Sequence, residues 1–151
     1  MRRASIALAL FLAACATTAP PEPSTRVTVE VFSWGYLQER WSVSATGEAS
    51  LERVPQGAQL ATPPVSQTFT ITPEEFEQVR AALAPAEPLV GNITCNRTIT
   101  DMPYGAVKWQ RGDGSEDTIS FDYGCQPNPG LELLFERLEA AGNAFTAATA
   151  Q

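Results

Sequence analysis

The sequence predicts an α+β domain in which an antiparallel sheet is packed on one face by two helices and tied by one disulfide. Three observations lead there. Short runs alternate apolar with polar residues and are separated by turn residues, the period of half-buried strands. Two stretches switch to helical spacing, each opened by a capping residue and a proline. Two cysteines, Cys95 and Cys125, remain once Cys15 is set aside.

In chain order, Val27, Val29 and Val31 alternate with Thr28, Glu30 and Phe32, and Trp41, Val43 and Ala45 repeat the pattern. Thr46-Gly47-Glu48 supplies a turn before Leu51 and Val54, so the first strands form an antiparallel meander. Residues 55–65 hold Pro55, Gly57, Pro63 and Pro64 and read as a loop, followed by a short strand from Gln67 to Ile71. Thr72-Pro73-Glu74-Glu75 is a helix start: Thr72 caps, Pro73 loses nothing at the first helical position, and Glu75 reaches back to the cap backbone. Phe76, Val79 and Leu83 share one face of that helix, and Pro85 and Pro88 end it. Val107 to Gln110 and Thr118 to Asp122, joined by residues 111–115, read as a hairpin. Asn128-Pro129 opens the last helix, on which Leu131, Leu134, Phe135 and Leu138 make an apolar stripe. The Ala- and Thr-rich end, residues 143–151, is expected to be a flexible tail, leaving a single domain over residues 26–142.

The N-terminus has a different character. Arg2 and Arg3 precede an almost unbroken apolar stretch from Ala4 to Ala14. That is too short to cross a bilayer, which takes roughly 20 apolar residues, but it suits the apolar region of a secretory signal. It ends in Leu12-Ala13-Ala14-Cys15, which resembles the lipobox of bacterial prolipoproteins. The resemblance implies a signal peptide over residues 1–14, cleavage before Cys15, a diacylglycerol on its thiol and usually an acyl chain on its new amino group. Ala16-Thr17 lacks the aspartate that holds some such proteins at the inner membrane, so the resemblance implies the outer membrane, facing the periplasm. Residues 15–25 are then the lipidated cysteine and a Pro-rich tether, which spans about 30 Å if fully extended as polyproline.

Charge and cysteine usage fit export. The chain is acidic, with a formal charge of −7, and loss of Arg2 and Arg3 would make it two units more negative. Without a basic run it would repel a polyanion, which disfavours nucleic-acid binding. In an oxidising compartment Cys95 and Cys125 are expected to pair. A redox pair would sit closer in sequence, and zinc would have to recruit carboxylates, because the chain has no histidine.

The same lack of histidine removes the commonest general base and the usual activator of Ser and Cys nucleophiles. Carboxylate catalysis remains open in principle through Glu74, Glu75, Glu77, Glu116, Asp117 and Asp122. Glu74 and Glu75, however, suit a helix N-terminus, and Glu116 and Asp117 flank a turn. Asp113-Gly114-Ser115-Glu116-Asp117 lacks the ligand spacing of an EF-hand calcium loop. Asn92-Ile93-Thr94 and Asn96-Arg97-Thr98 fit the glycosylation triplet, a pattern short enough to recur by chance. The sequence is read as a non-enzymatic module holding neither metal nor cofactor.

One cluster suggests contact with a partner: Phe32, Trp34, Tyr36 and Trp41, interrupted by Gly35. Core packing is the simpler fate for the cluster as a whole, and Trp41, beside Val43, and Trp109, beside Val107, are expected there. Trp34 and Tyr36 lie at a strand end or in its connecting turn, where burial is less obligatory, and are the candidate contact residues. The expectation is a lipid-anchored module that binds an envelope protein or cell-wall material. Two other readings are an inhibitor that plugs a foreign lysozyme or protease with a rigid loop, and a carboxylate-dependent hydrolase.

Overall fold

The computed structural model describes residues 22–59, 61–93, 95, 101–126 and 128–150. The expected signal peptide, Cys15 and most of the expected tether lie outside these, as do Thr94 and residues 96–98 of the two glycosylation triplets.

The first strand, β1 (Ser24–Ser33), is the centre of the molecule. β2 (Tyr36–Ser44), β3 (Glu48–Arg53) and β4 (Val65–Thr70) follow as a meander, and α1 (Pro73–Leu83) runs into a 3-10 turn over Ala84–Leu89. β5 (Tyr104–Arg111) and β6 (Glu116–Asp122) form a hairpin, and α2 (Pro129–Thr149) closes the fold. All pairings are antiparallel, and the sheet order is β4-β3-β2-β1-β5-β6. The second hairpin therefore returns to the free edge of β1, with Val29 opposite Val107 and Val27 opposite Trp109. The expected α+β architecture is the one observed.

Alternation then sorts the side chains. Val27, Val29, Trp41, Val43, Ala49, Val107, Trp109, Ile119 and Phe121 lie on one face and are buried. Against them pack Phe76, Val79 and Leu83 of α1 and Leu131, Leu134, Ala141 and Phe145 of α2. Aromatic pairs mark the contact: Trp41 stacks on Phe145 at 5.1 Å between ring centroids, and Phe121 meets Phe135 edge-on at 6.1 Å. Each fully buried large apolar side chain contributes roughly 1.5–3 kcal/mol. The opposite face has no helix over it among the described residues, and it carries hydroxyls and charges. Ser42 and Ser50 face each other at 3.0 Å, and Glu30 sits between Arg40 (2.8 Å) and Lys108 (2.8 Å), with Arg40 also paired to Glu52.

Both helix starts are capped as the sequence suggests. The Thr72 hydroxyl accepts from the Glu75 N–H, and the Glu75 carboxylate accepts from the Thr72 N–H at 2.7 Å. The Asn128 side chain accepts from the Leu131 N–H at 3.0 Å, with Pro129 at the first helical position. Cys95 and Cys125 are bonded, their Cα atoms 5.6 Å apart, which ties the segment after the 3-10 turn to the approach to α2.

β4 begins at Val65, inside the expected loop, and β5 at Tyr104, ahead of the expected Val107, and the two outer boundaries of the domain also differ from the sequence expectation. β1 begins at Ser24, so Ser24 and Thr25 of the Pro-rich stretch belong to the sheet. The expected tail over residues 143–151 is instead helical as far as Thr149. The reason is tertiary. Phe145 and Ala148 are buried, and Phe145 fills the space over Trp41. The hydroxyls of Thr146 and Thr149 bond back to carbonyls four residues earlier, so they do not compete with the helix.

Candidate functional site

The strands give the domain two unlike ends. At one, the chain enters β1. The Arg111 guanidinium donates to the Glu22 carbonyl at 3.0 Å, to Asp117 at 2.6 and 3.0 Å, and pairs with Glu87 at 2.9 Å. Burial disfavours its charge, but these carboxylates outweigh that and raise its pKa. Around this entry point lie the polar turns at Thr46–Gly47 and Gly112–Ser115. In the second, the Asp113 carboxylate accepts from the Ser115 N–H at 2.8 Å.

The other end is apolar. Val65, Arg53, Glu39, Val31, Gly105 and Phe121 form one continuous cross-strand row. At or beyond that row lie all six exposed large hydrophobic residues among the described residues: Trp34, Tyr36, Val65, Met102, Tyr104 and Tyr123. The ten residues of β1 separate the two ends by about 30 Å.

Local chemistry shapes this distal end. Trp34 and Gly35 form the two-residue turn between β1 and β2, and both have positive φ, 52° and 82°. Such a turn matches the strand twist but favours Asn, Asp or Gly at its centre. A left-handed residue other than glycine costs roughly 1–2 kcal/mol. Trp34 is nonetheless there, 64% exposed, and it is the one such residue among those described. A register shift between Val31 and Phe32 brings Phe32 opposite Leu37 and leaves Ser33 opposite Tyr36, which is 48% exposed. On the helix-free face Phe32 stacks on its cross-strand partner Tyr104 at 5.9 Å. Beside this pair is a cavity of about 510 Å³ whose lining includes Ala106, Ser120, Asp122 and the Cys95–Cys125 bridge. The Asp122 carboxylate accepts from the Gly124 N–H at 2.7 Å, and the Tyr123 N–H donates to the Pro103 carbonyl, closing the mouth of the second hairpin.

Gly105 makes the close packing here possible. A Cβ at that position would run into the Glu30 carbonyl oxygen and come within 2.6 Å of Cζ of Phe121. The Phe121 ring occupies the space that a side chain would take.

The candidate residues of the sequence fall as follows. Trp34 and Tyr36 are exposed together at the distal end, whereas Trp41 and Trp109 are buried. Tyr104, Met102, Tyr123 and Val65 join them, and nothing in their local sequence marks them, because only the register places them in one layer. The carboxylates considered for catalysis do not converge. Glu74 and Glu75 occupy the first turn of α1, Glu77 pairs with Arg80, Asp117 with Arg111, and Glu116 bonds Thr118. No group of three or more Asp, Glu or Cys side chains able to hold a metal ion occurs among the described residues. No helix among them is long and apolar enough to cross a membrane. No protein-family model matches the chain, and no curated protein is significantly similar to it.

Proposed function

We infer that this protein is a lipid-anchored, periplasm-facing binding module of the bacterial envelope that engages its partner through the distal apolar end. The observation that carries the reading is the segregation of every exposed large hydrophobic among the described residues to the end opposite the tether. Scattered surface hydrophobics are ordinary, but a contiguous group points to an interaction site. Trp and Tyr dominate binding energy at such sites. The unfavourable conformation of Trp34 supports the reading, since a fold selected for stability alone gains nothing by placing an exposed tryptophan there. Anchorage follows from the Leu12-Ala13-Ala14-Cys15 resemblance. Two or three acyl chains, at about 0.8 kcal/mol per buried methylene, hold a protein at a membrane where one would be marginal. The acyl chains enter the bilayer at Cys15, and the domain presents its far end to a partner protein or cell-wall polymer.

The test is crosslinking in the native envelope with the full chain carrying Trp34→Ala and Tyr36→Ala. Both side chains are exposed, so the variant should fold while its capture of a specific partner drops at least about tenfold, the scale of one hot-spot residue. Undiminished capture would overturn the assignment of the distal end. The anchor is tested separately by intact mass, which should show residues 1–14 missing and acyl mass on Cys15. A retained Met1 would refute it.

A further inference from the structure

A second concavity opens near the distal end, between the helix-covered face of the sheet and α2, with a volume of about 390 Å³. Trp41, Phe121, Tyr123 and Phe135 supply its aromatic lining, and Glu39 and Glu139 supply its carboxylates. Its aromatic wall is fixed by packing: Tyr123 stacks on Phe135 at 4.8 Å, and both meet Phe121 edge-on. Glu39 keeps one oxygen on Arg53 at 2.7 Å, while its charge reaches Tyr123, where burial first and Glu39 second hold the phenol above its ordinary pKa. Glu139 is exposed and makes no ion pair or side-chain hydrogen bond among the described residues. The helix flank that bears it also carries Glu132 and Glu136, and Glu136 pairs with its neighbour Arg137.

Aromatic faces carry negative potential and attract cations, Arg and Lys above all. A partly desolvated groove strengthens that attraction, and two carboxylates at one such groove add to it. The apolar stem of a long basic side chain also suits an apolar lining. On a chain whose formal charge is −7, the site is complementary to a basic segment and repels an acidic one. We propose that this groove receives an arginine or lysine side chain of a basic segment of a partner protein. The partner's existence rests on the function inferred above, whereas the groove's preference for cations does not.

The test uses NMR titration of the full chain in neutral detergent micelles. The probes are N-acetyl-arginine methylamide and N-acetyl-lysine methylamide, with N-acetyl-norleucine methylamide as the uncharged control. The cationic probes should produce saturable shifts of the Trp41 indole and the Phe135 ring, and the norleucine probe should bind at least about threefold more weakly. Glu139→Gln, an exposed change that spares the fold, should weaken the arginine probe about threefold, and Glu39→Gln with Glu139→Gln about tenfold. Equal binding of all three probes, or no effect of Glu139→Gln, would overturn the proposal. So would shifts confined to Trp34, Tyr36 and Tyr104. Trp34→Ala with Tyr36→Ala should leave this titration unchanged, so failure of envelope capture and failure of the groove are read separately.

Discussion

Arg111→Gln removes the cation that joins three parts of the chain, and the geometry fixes its expected cost. The Arg111 side chain is 7% exposed and reaches Asp117, Glu87 and the Glu22 carbonyl. Breaking a buried pair costs about 3–5 kcal/mol, because the surviving charge is left without its partner. Asp117 is 43% exposed and can regain water, so its share is small; Glu87, at 16%, cannot do so as readily. Discounting accordingly leaves about 2–3 kcal/mol. With a urea slope of about 1–2 kcal/mol/M for a domain of this size, the midpoint should fall by roughly 1–3 M. Urea unfolding followed by tryptophan fluorescence measures this directly, since Trp109 is fully buried. Adding Glu87→Gln removes the stranded charge and should recover about 1 kcal/mol. A loss below about 0.5 kcal/mol for Arg111→Gln, or no recovery in the double variant, would refute the reasoning.

Gly105→Ala should cost about 3 kcal/mol or more, because the obstacles are the β1 backbone and a buried ring, neither of which can give way; unchanged thermal stability would count against this packing. Replacing Cys95 and Cys125 together by serine opens a closure of 30 residues and should lower stability by ~3–4 kcal/mol on the chain-entropy account, read by unfolding under oxidising conditions. At Glu30, burial alone would raise the pKa, but hydrogen bonds and charge from Lys108 and Arg40 outweigh it and hold the carboxyl below its ordinary value. Its contribution is therefore present above the ordinary carboxylate range and is lost as pH falls through the lowered value. Glu30→Gln should flatten the acid limb of a stability-against-pH curve, and an unaltered acid limb would contradict the ion-pair network.

The sheet and both helices were legible because their signals are local. Alternation at Val27, Val29 and Val31 sets a face, and Thr72-Pro73-Glu74-Glu75 carries its own capping chemistry. What was not legible depends on partners distant in sequence. Residues 143–149 have the composition of a fraying end, and it is the rings of Trp41 and Phe69, far earlier in the chain, that give Phe145 a reason to stay helical. Trp34 and Tyr36 could be singled out because a glycine splits an aromatic run at a strand end. Tyr104 and Tyr123 could not, since their exposure follows from the pairing of β5 with β1 and β6. The acidic groove was hidden for the same reason: Glu39 and Glu139 lie on different elements and line one concavity only through the packing of α2 on the sheet.

The Arg111 cluster and the distal end are connected through β1, and this bears on how an anchored domain would present itself. A flexible tether alone sets no orientation. Here the chain is held to the body as early as Glu22, and at Ser24 it enters a strand paired on both sides. The chain is thus tied to the domain from Glu22 onward. β1 carries the Trp34 turn at its far end, so on the proposed reading its direction would set both the point of attachment and the direction of approach for a partner. Under the proposed function, loosening Arg111 would allow the first residues of β1 to fray and would lengthen the effective tether. Trp34 and Tyr36 would themselves be unaltered. Stability and partner capture are therefore expected to respond to different residues, the first to Arg111 and the second to the aromatic turn about 30 Å away.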